Sequence, residues 1–311
     1  MPVDVVDSHH HLWSLTPTTG APVYPWLKSV AEGGVSSHVV GDVARLKQDY
    51  LLDDYLRDAN NGSCRLIKSV HVQAEAENAC EEVKFLERIA NGNADGFPHG
   101  IVAHANLASS DLPDLLDTYT REHPRVKGVR QLINWSDRDP RLSMTDRGDY
   151  LTDPTWIEGF QLLTSHSLSF DMHVYPSQMI DAANIARQYP QANIILDHCG
   201  LPADGPSGFS EWQQGIKHLA AQPNVSCKLS GLVMFNHQWS KEIFAPYLVE
   251  CLRSFTPKRC MFGSNFPVDK VHATFEELVN VYRDIAENEA GLICDELDMI
   301  FRENAIRVYR L

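Results

Sequence analysis

The sequence lacks any apolar run of about 18 residues, the length that a membrane-spanning helix requires. Its first seven residues also lack the basic region and the long apolar region of a secretory signal. We therefore expect a cytoplasmic protein with no membrane partner.

Positive charge is scarce. The 311 residues include 27 Lys and Arg against 41 Asp and Glu, which gives a formal net charge of −14. Phosphate backbones repel such a chain unless its basic residues are concentrated in one patch. The densest basic stretch, residues 121–130, is short and contains Glu122. We therefore expect no nucleic-acid partner.

Cysteine pairs of the CxxC type are absent, although the chain has seven cysteines. An odd number without such a pair is not typical of a disulfide framework. Several cysteines, including Cys227, stand in apolar runs where a thiol acts as a small buried hydrophobe. We expect them to be reduced and inert.

The chain does contain a regular alternation of short apolar runs and amphipathic segments. The runs are typical of parallel strands covered on both faces. They are Val3–Asp7, Leu66–Gln73, Gly100–Ala105, Val126–Gln131, Ser169–His173, Asn193–Asp197, Val225–Leu229 and Cys260–Gly263. Helical periodicity is found in Asp42–Asn60, Glu81–Ala90, Leu112–Glu122, Trp156–Ser165, Ser177–Gln188, Phe209–Ala221, Glu242–Phe255, Phe275–Glu289 and the final Asp295–Tyr309.

This alternation predicts an α/β fold, a (β/α)8 TIM barrel that forms a single domain over residues 1–311. A doubly wound sheet is the rival fold. It is disfavoured because histidines, rather than a glycine-rich phosphate loop, follow the first strand. The long connection after that strand contains Pro17–His38, and we expect it to lie over the C-terminal mouth of the barrel. Tyr24 and Trp26 in this loop, with Trp135, could line a substrate site or simply pack the loop onto the barrel.

Polar side chains follow almost every predicted strand. Because the chemistry of a (β/α)8 barrel lies at the C-terminal ends of its strands, these groups should meet at one mouth. Strand alternation directs His9 and His11 into the barrel and His10 toward the surrounding shell. The other members of the set are Glu75, Arg130, Asp171, His173, Asp197, His198, Lys228, Asn265 and Asp269.

Two cationic residues in this set, Arg130 and Lys228, indicate a small anionic or oxyanion-forming substrate. The alternative is that both form salt bridges inside the barrel, with carboxylates such as Asp171 or Asp197. The sequence leaves the oligomeric state open, a homo-oligomer included.

Four motifs stand in order along the chain. They are Asp-Ser-His-His-His-Leu-Trp at 7–13, His-Val-Tyr-Pro-Ser-Gln-Met at 173–179, Leu-Asp-His-Cys-Gly-Leu-Pro at 196–202 and Phe-Gly-Ser-Asn-Phe-Pro-Val-Asp at 262–269. With the ending Asn-Ala-Ile-Arg-Val-Tyr at 304–309, they resemble the amidohydrolase superfamily. More narrowly, they resemble its lactonase-related branch, which includes sugar-lactone and pyrone-dicarboxylate lactonases.

The resemblance implies that His9, His11 and His173 bind one divalent metal ion, with Zn²⁺ the first choice for imidazole ligands. Asn265 stands where the superfamily has a metal-binding aspartate that carries the proton, and an amide cannot take a proton from water. Arg130 stands where a carbamylated lysine would bridge two metals, so we expect one metal at most. Some members of the branch are thought to work without metal, which leaves an empty site open.

The resemblance also implies a carboxylic-ester hydrolase that opens the lactone ring of a sugar acid or of a carboxylated ring metabolite. His173 or His198 and the cationic groups would stabilise the oxyanion. The residue that accepts the proton of water is left open between Glu75, Asp269 and His198. A decarboxylase of the same superfamily and a barrel that only binds its ligand are the alternatives.

Overall fold

The computed structural model describes residues 2–28, 43–60, 62 and 64–311. Its centre is a parallel sheet of eight strands in chain order, β1 to β8. They are β1 Val3–His10, β2 Cys64–Val72, β3 Gly100–His104, β4 Val126–Leu132, β5 Ser169–His173, β6 Ile194–Leu196, β7 Val225–Leu229 and β8 Cys260–Phe262. The sheet closes where His10 bridges Phe266 and the His11 N–H donates to the Phe266 carbonyl at 2.7 Å. The predicted (β/α)8 barrel is confirmed.

Helices cover the outside of the barrel and bury their apolar faces against it. They are α1 Leu52–Ala59, α2 Ala79–Gly92, α3 Leu112–Glu122, α4 Pro154–Ser165, α5 Met179–Gln188, α6 Gly205–Ala220, α7 Lys241–Phe255, α8 Phe275–Asp284, α9 Cys294–Asp298 and α10 Asn304–Tyr309. Single π-helical turns, Ile285–Glu289 and Met299–Glu303, follow α8 and α9. Within the described residues, no helix is both long and apolar enough to cross a membrane.

The prediction of one helix over Asp42–Asn60 is wrong. Its described part begins with a 3-10 turn, Val43–Leu46, and α1 starts only at Leu52. Between them, Tyr50 and Trp13 exchange two backbone hydrogen bonds of 3.0 Å, which hold this stretch extended. The long loop after β1 is described up to residue 28. The remainder of Pro17–His38 lies outside the described residues.

A buried carboxylate, Asp7, joins β1 to the segment after β8 and to α1. It accepts hydrogen bonds from the backbone N–H of Ser264 at 2.8 Å, from the Ser264 hydroxyl at 2.5 Å and from the Tyr55 hydroxyl at 2.8 Å. It also accepts one from the His9 N–H at 3.1 Å. These bonds fix the backbone on both sides of the barrel seam, where His9 and Asn265 stand. His10 points outward, as predicted, and there it stacks on Tyr55 with ring centroids 4.0 Å apart.

A second buried carboxyl group, Glu82 on α2, makes stability depend on pH. Its Oε1 accepts from the Ala74 N–H at 2.8 Å, and burial raises the pKa of Glu82 to about 8. Because the ordinary pKa lies near 4.5, the folded state favours the protonated form. The stabilisation that protonated Glu82 contributes to the folded state is therefore lost as the pH rises from about 4.5 to about 8, at roughly 1.4 kcal/mol per pKa unit.

We expect Glu82→Gln to remove this dependence, since glutamine keeps the size and the acceptor oxygen but does not titrate. Thermal unfolding between about pH 5 and pH 9 measures this effect. The free energy of unfolding of the variant should rise relative to that of wild type as the pH rises, by about a few kcal/mol at the alkaline end. The exposed neighbour Glu81, changed to Gln, is the matched control. Parallel curves for Glu82→Gln and wild type would contradict the expectation.

Candidate functional site

A cavity of about 600 Å³ lies at the C-terminal ends of the strands. Its polar wall comes from the strand ends and the connections after them. The polar residues are His11, Glu75, Arg130, Asn134, Arg141, Ser143, Thr145, Asp146, His173, His198 and Asn265. The apolar side includes Trp26, Leu132, Met144, Tyr175, Leu201, Met234 and Phe235. The cavity thus combines apolar surface with a few converging titratable groups, as ligand sites commonly do.

Four imidazoles form a continuous row at this end of the barrel. The ring centroids of His11 and His9 are 5.1 Å apart, those of His9 and His198 4.4 Å, and those of His198 and His173 5.4 Å. His9 is fully buried, whereas the other three reach the cavity wall. Strand alternation explains part of the row, since His9 and His11 lie two residues apart on β1 and just beyond it.

Hydrogen bonds orient two of these rings. The Nδ1 of His11 donates to the Val72 carbonyl at 2.7 Å, and the Nδ1 of His173 lies 3.0 Å from the amide oxygen of Asn134. Each ring therefore carries its proton on Nδ1 and presents an unprotonated Nε2. Burial lowers the pKa of His11 well below its ordinary value and that of His173 to about 3. Both are neutral hydrogen-bond acceptors or metal ligands near pH 7.

His198 is held by an unusual turn. It is the first of four successive residues with positive φ, with values of 51, 52, 71 and 49° from His198 to Leu201. Its Nδ1 lies 2.8 Å from the Ser230 hydroxyl. Gly231 packs so closely that a Cβ there would lie 2.5 Å from the same nitrogen, so only glycine fits. The turn and these two neighbours fix the ring beside His9 and His173.

Beneath the row lies a buried charge network centred on Lys228. Its ammonium contacts the Asp171 carboxylate, lies 3.2 Å from Asp197 and 3.4 Å from the Nδ1 of His9, and is fully buried. The Tyr309 hydroxyl, from α10, donates to Asp171 at 2.8 Å. Arrangements of this kind are stable only when each buried charge is paired.

Arg130 completes the network from β4. One guanidinium nitrogen lies 3.4 Å from Asp197 and 3.5 Å from the Nε2 of His9, and the other donates to the Gln73 carbonyl at 2.7 Å. Two cations thus balance two carboxylates. Burial alone would raise the pKa of Asp197, but Lys228 and the imidazoles outweigh it and hold that pKa well below its ordinary value. Burial and the Lys228 charge lower the pKa of His9, which is neutral.

The structure differs from the sequence-based expectation for four site residues. Lys228 lies under the cavity floor rather than on it, because its ammonium forms salt bridges with Asp171 and Asp197. This was the alternative to substrate binding that the sequence left open. Asp269 is buried behind Asn265, whose amide donates to it at 2.7 Å, and burial raises its pKa well above the ordinary value. Tyr24 is buried, and the Trp135 indole donates to Asp137 at 2.7 Å. None of the four is among the residues found lining the cavity.

One group of side chains beside the cavity could hold a metal ion. The ligand atoms of His9, Asp197 and His198 lie within 4.8 Å of one another. Two neutral imidazoles and one carboxylate are a donor set that Zn²⁺ accepts. The Lys228 ammonium and the Arg130 guanidinium lie 3.4 and 3.5 Å from the two ring nitrogens of His9, so the residues fit a single divalent ion once these cations move aside. This group shares only His9 with the predicted set of His9, His11 and His173. Asp197 directly precedes His198 in the third motif. This position in the motif was the one sequence feature that could have identified Asp197 as a ligand.

Residues 6–311 match the family model described as amidohydrolase. The chain belongs to the amidohydrolase family. It is 36% identical over 311 residues to the uncharacterised protein y4mH of Sinorhizobium fredii, covering 99% of both chains. It is 26% identical to an L-fucono-1,5-lactonase of Burkholderia multivorans, covering 98% of this chain and 96% of the other.

Solved structures agree with this membership. A Burkholderia multivorans amidohydrolase with bound zinc superimposes with a TM-score of 0.79 and 25% identity, over 99% of each chain. A putative 2-pyrone-4,6-dicarboxylic acid hydrolase of Pseudomonas putida gives a TM-score of 0.68 at 16% identity, over 100% of this chain and 98% of that one, a likeness of fold alone. The expected resemblance to the lactonase-related branch is confirmed, and the family and its relatives indicate a hydrolase.

Proposed function

We propose that this amidohydrolase opens the lactone ring of a sugar acid or of a carboxylated ring metabolite in the cavity at the barrel mouth. The observation that carries the proposal is the row of four imidazoles beside Arg130, built on a chain similar over nearly its whole length to an L-fucono-1,5-lactonase. The unprotonated Nε2 atoms of His11 and His173 suit a substrate that offers hydroxyl donors, as a sugar lactone does. Arg130 suits its carboxylate or its developing oxyanion.

His9, Asp197 and His198 would hold one divalent ion, with Zn²⁺ the best match to their donor atoms. When bound, such an ion would polarise the lactone carbonyl or lower the pKa of water.

We assign the proton acceptor to Glu75. This residue lines the cavity, and the Gln73 side chain holds it twice, by donating to its Oε1 at 2.5 Å and by accepting from its backbone N–H at 2.7 Å. Asn265 also lines the cavity but has no basic group, and Asp269 lies buried behind it. Glu75 is therefore a positioned carboxylate that can act as a general base.

The reaction then proceeds in two steps. The oxygen of water attacks the carbonyl carbon while its proton passes to Glu75, and the carbonyl oxygen becomes an oxyanion facing Arg130. The bond between that carbon and the ring oxygen then breaks, and the ring oxygen takes the proton from Glu75. The product is an open-chain hydroxy acid, which releases one proton to the solvent at neutral pH.

We expect Glu75→Gln to lower kcat by about 10²- to 10⁴-fold with little change in KM, because the amide keeps the shape but cannot accept the proton. Initial rates of sugar-lactone hydrolysis, followed by the acid released, measure this effect. Asp146→Asn, on the same cavity wall, is the matched control and should keep most of the activity. A wild-type rate for Glu75→Gln would exclude Glu75 as the proton acceptor.

A further inference from the structure

A cluster of cysteines lies outside the catalytic cavity, on the outer face of the barrel wall. Cys199 follows His198, Cys227 lies on β7 and Cys251 lies on α7. All three are free thiols with no exposed surface. Their sulfur atoms lie within 4.8 Å of one another. Lys228 points into the barrel, so strand alternation turns its neighbour Cys227 outward toward α7.

The spacing of the three sulfur atoms suits one metal ion. With metal–sulfur bonds of about 2.3 Å, three thiolates around a single ion stand roughly 4 Å apart, which small side-chain movements can reach from this arrangement. The nearest polar partners of these sulfurs are weak, with the Lys228 carbonyl 3.6 Å from Cys199 and 3.8 Å from Cys227. Thiolates are soft ligands and select thiophilic cations over Mg²⁺ or Ca²⁺.

We propose that Cys199, Cys227 and Cys251 form a second metal site, which binds one thiophilic divalent cation of the Zn²⁺, Cd²⁺ and Hg²⁺ group. Binding breaks three S–H bonds, forms three metal–sulfur bonds and releases three protons to solvent, with no change in oxidation state.

The site is coupled by the backbone to two residues of the cavity region. Cys199 stands in the left-handed turn directly after His198, and the Trp212 indole holds its carbonyl at 2.7 Å. Cys227 directly precedes Lys228. Drawing the two sulfurs toward one ion therefore shifts His198 and Lys228. Occupancy should lower kcat with little change in KM, a consequence that rests on the proposed function, whereas the binding itself does not.

Cadmium titration of metal-free protein tests the binding directly. A thiolate-to-cadmium charge-transfer band in the ultraviolet should grow and saturate by two equivalents, since His9, Asp197 and His198 can take the other ion. Cadmium held by His9, Asp197 and His198 gives no such band, because these residues offer nitrogen and oxygen only. Proton release measured in the same titration should accompany the band.

Variants make the test specific. Cys251→Ala should weaken cadmium binding at least tenfold, while Cys294→Ala, at an exposed cysteine, should leave the band unchanged. Cys227→Val, apolar and suited to a strand, replaces Cys251→Ala if that variant does not fold. The proposal is overturned if no band saturates by two equivalents, or if the band survives loss of Cys251 or Cys227. Absence of the band in wild-type protein that still hydrolyses lactones would overturn the metal site and leave the proposed function standing.

Discussion

Replacing Lys228 with methionine is expected to lower the free energy of unfolding by about 3–5 kcal/mol. Methionine fills a similar volume but removes the ammonium that contacts Asp171 and lies 3.2 Å from Asp197. Both carboxylates have no exposed surface, so neither can recover the lost interaction from water. The loss is large because a buried charge is left without its partner, not because the ion pair itself is strongly stabilising.

Lys241 provides a matched control, since its ammonium also contacts two carboxylates, Asp284 at 2.7 Å and Glu289 at 3.1 Å. These groups are partly exposed, and we expect Lys241→Met to cost less than about 1 kcal/mol. Urea unfolding of the two variants beside wild type measures the difference. Equal losses for Lys228→Met and Lys241→Met would show that the Lys228 network contributes no more than a surface ion pair.

Replacing His198 with asparagine is expected to lower kcat/KM for the proposed lactone hydrolysis by about a thousandfold. The imidazole lies between His9 and His173 in the row, and it is one of the three side chains that fit a metal ion. Apart from glycine, asparagine tolerates the left-handed backbone at this position better than other replacements do. The effect should therefore be on activity rather than on folding.

The matched control is His218→Asn, at an exposed histidine on α6. Steady-state rates and thermal unfolding of both variants, together with their zinc content, separate the possible causes. Activity retained by His198→Asn within a few fold of wild type would remove this residue from the mechanism. If His198→Asn does not fold, His198→Gly, which adopts the left-handed backbone without a Cβ, replaces it in the same comparison.

The barrel could be predicted from the sequence because each strand is a short apolar run covered on both faces. The predicted bounds of Ser169–His173 and Val225–Leu229 agree with β5 and β7 residue for residue. The helix predicted over Asp42–Asn60 failed because its periodicity is local, whereas the bridge between Tyr50 and Trp13 is a tertiary contact that interrupts it. Periodicity within one segment carries no information about such a contact.

The rule that chemistry lies at the strand ends predicted part of the polar wall of the cavity, including Arg130 and His173. It did not predict how deeply each side chain lies within the barrel. Lys228 stands one residue before the end of β7, deep enough to meet Asp171 and Asp197 rather than the cavity. The hydrogen bond from Tyr309 to Asp171 was not predicted either. The two residues lie 138 positions apart in the sequence, and no motif links them.

The most direct test of the account is the hydrolysis of sugar-acid 1,5-lactones and of a pyrone dicarboxylate by protein purified without chelator, measured beside His198→Asn. We expect turnover of at least one of these lactones well above the buffer rate, and loss of that turnover in the variant. Rates at the buffer level for every lactone with correctly folded protein, or equal rates for wild type and His198→Asn, would contradict it.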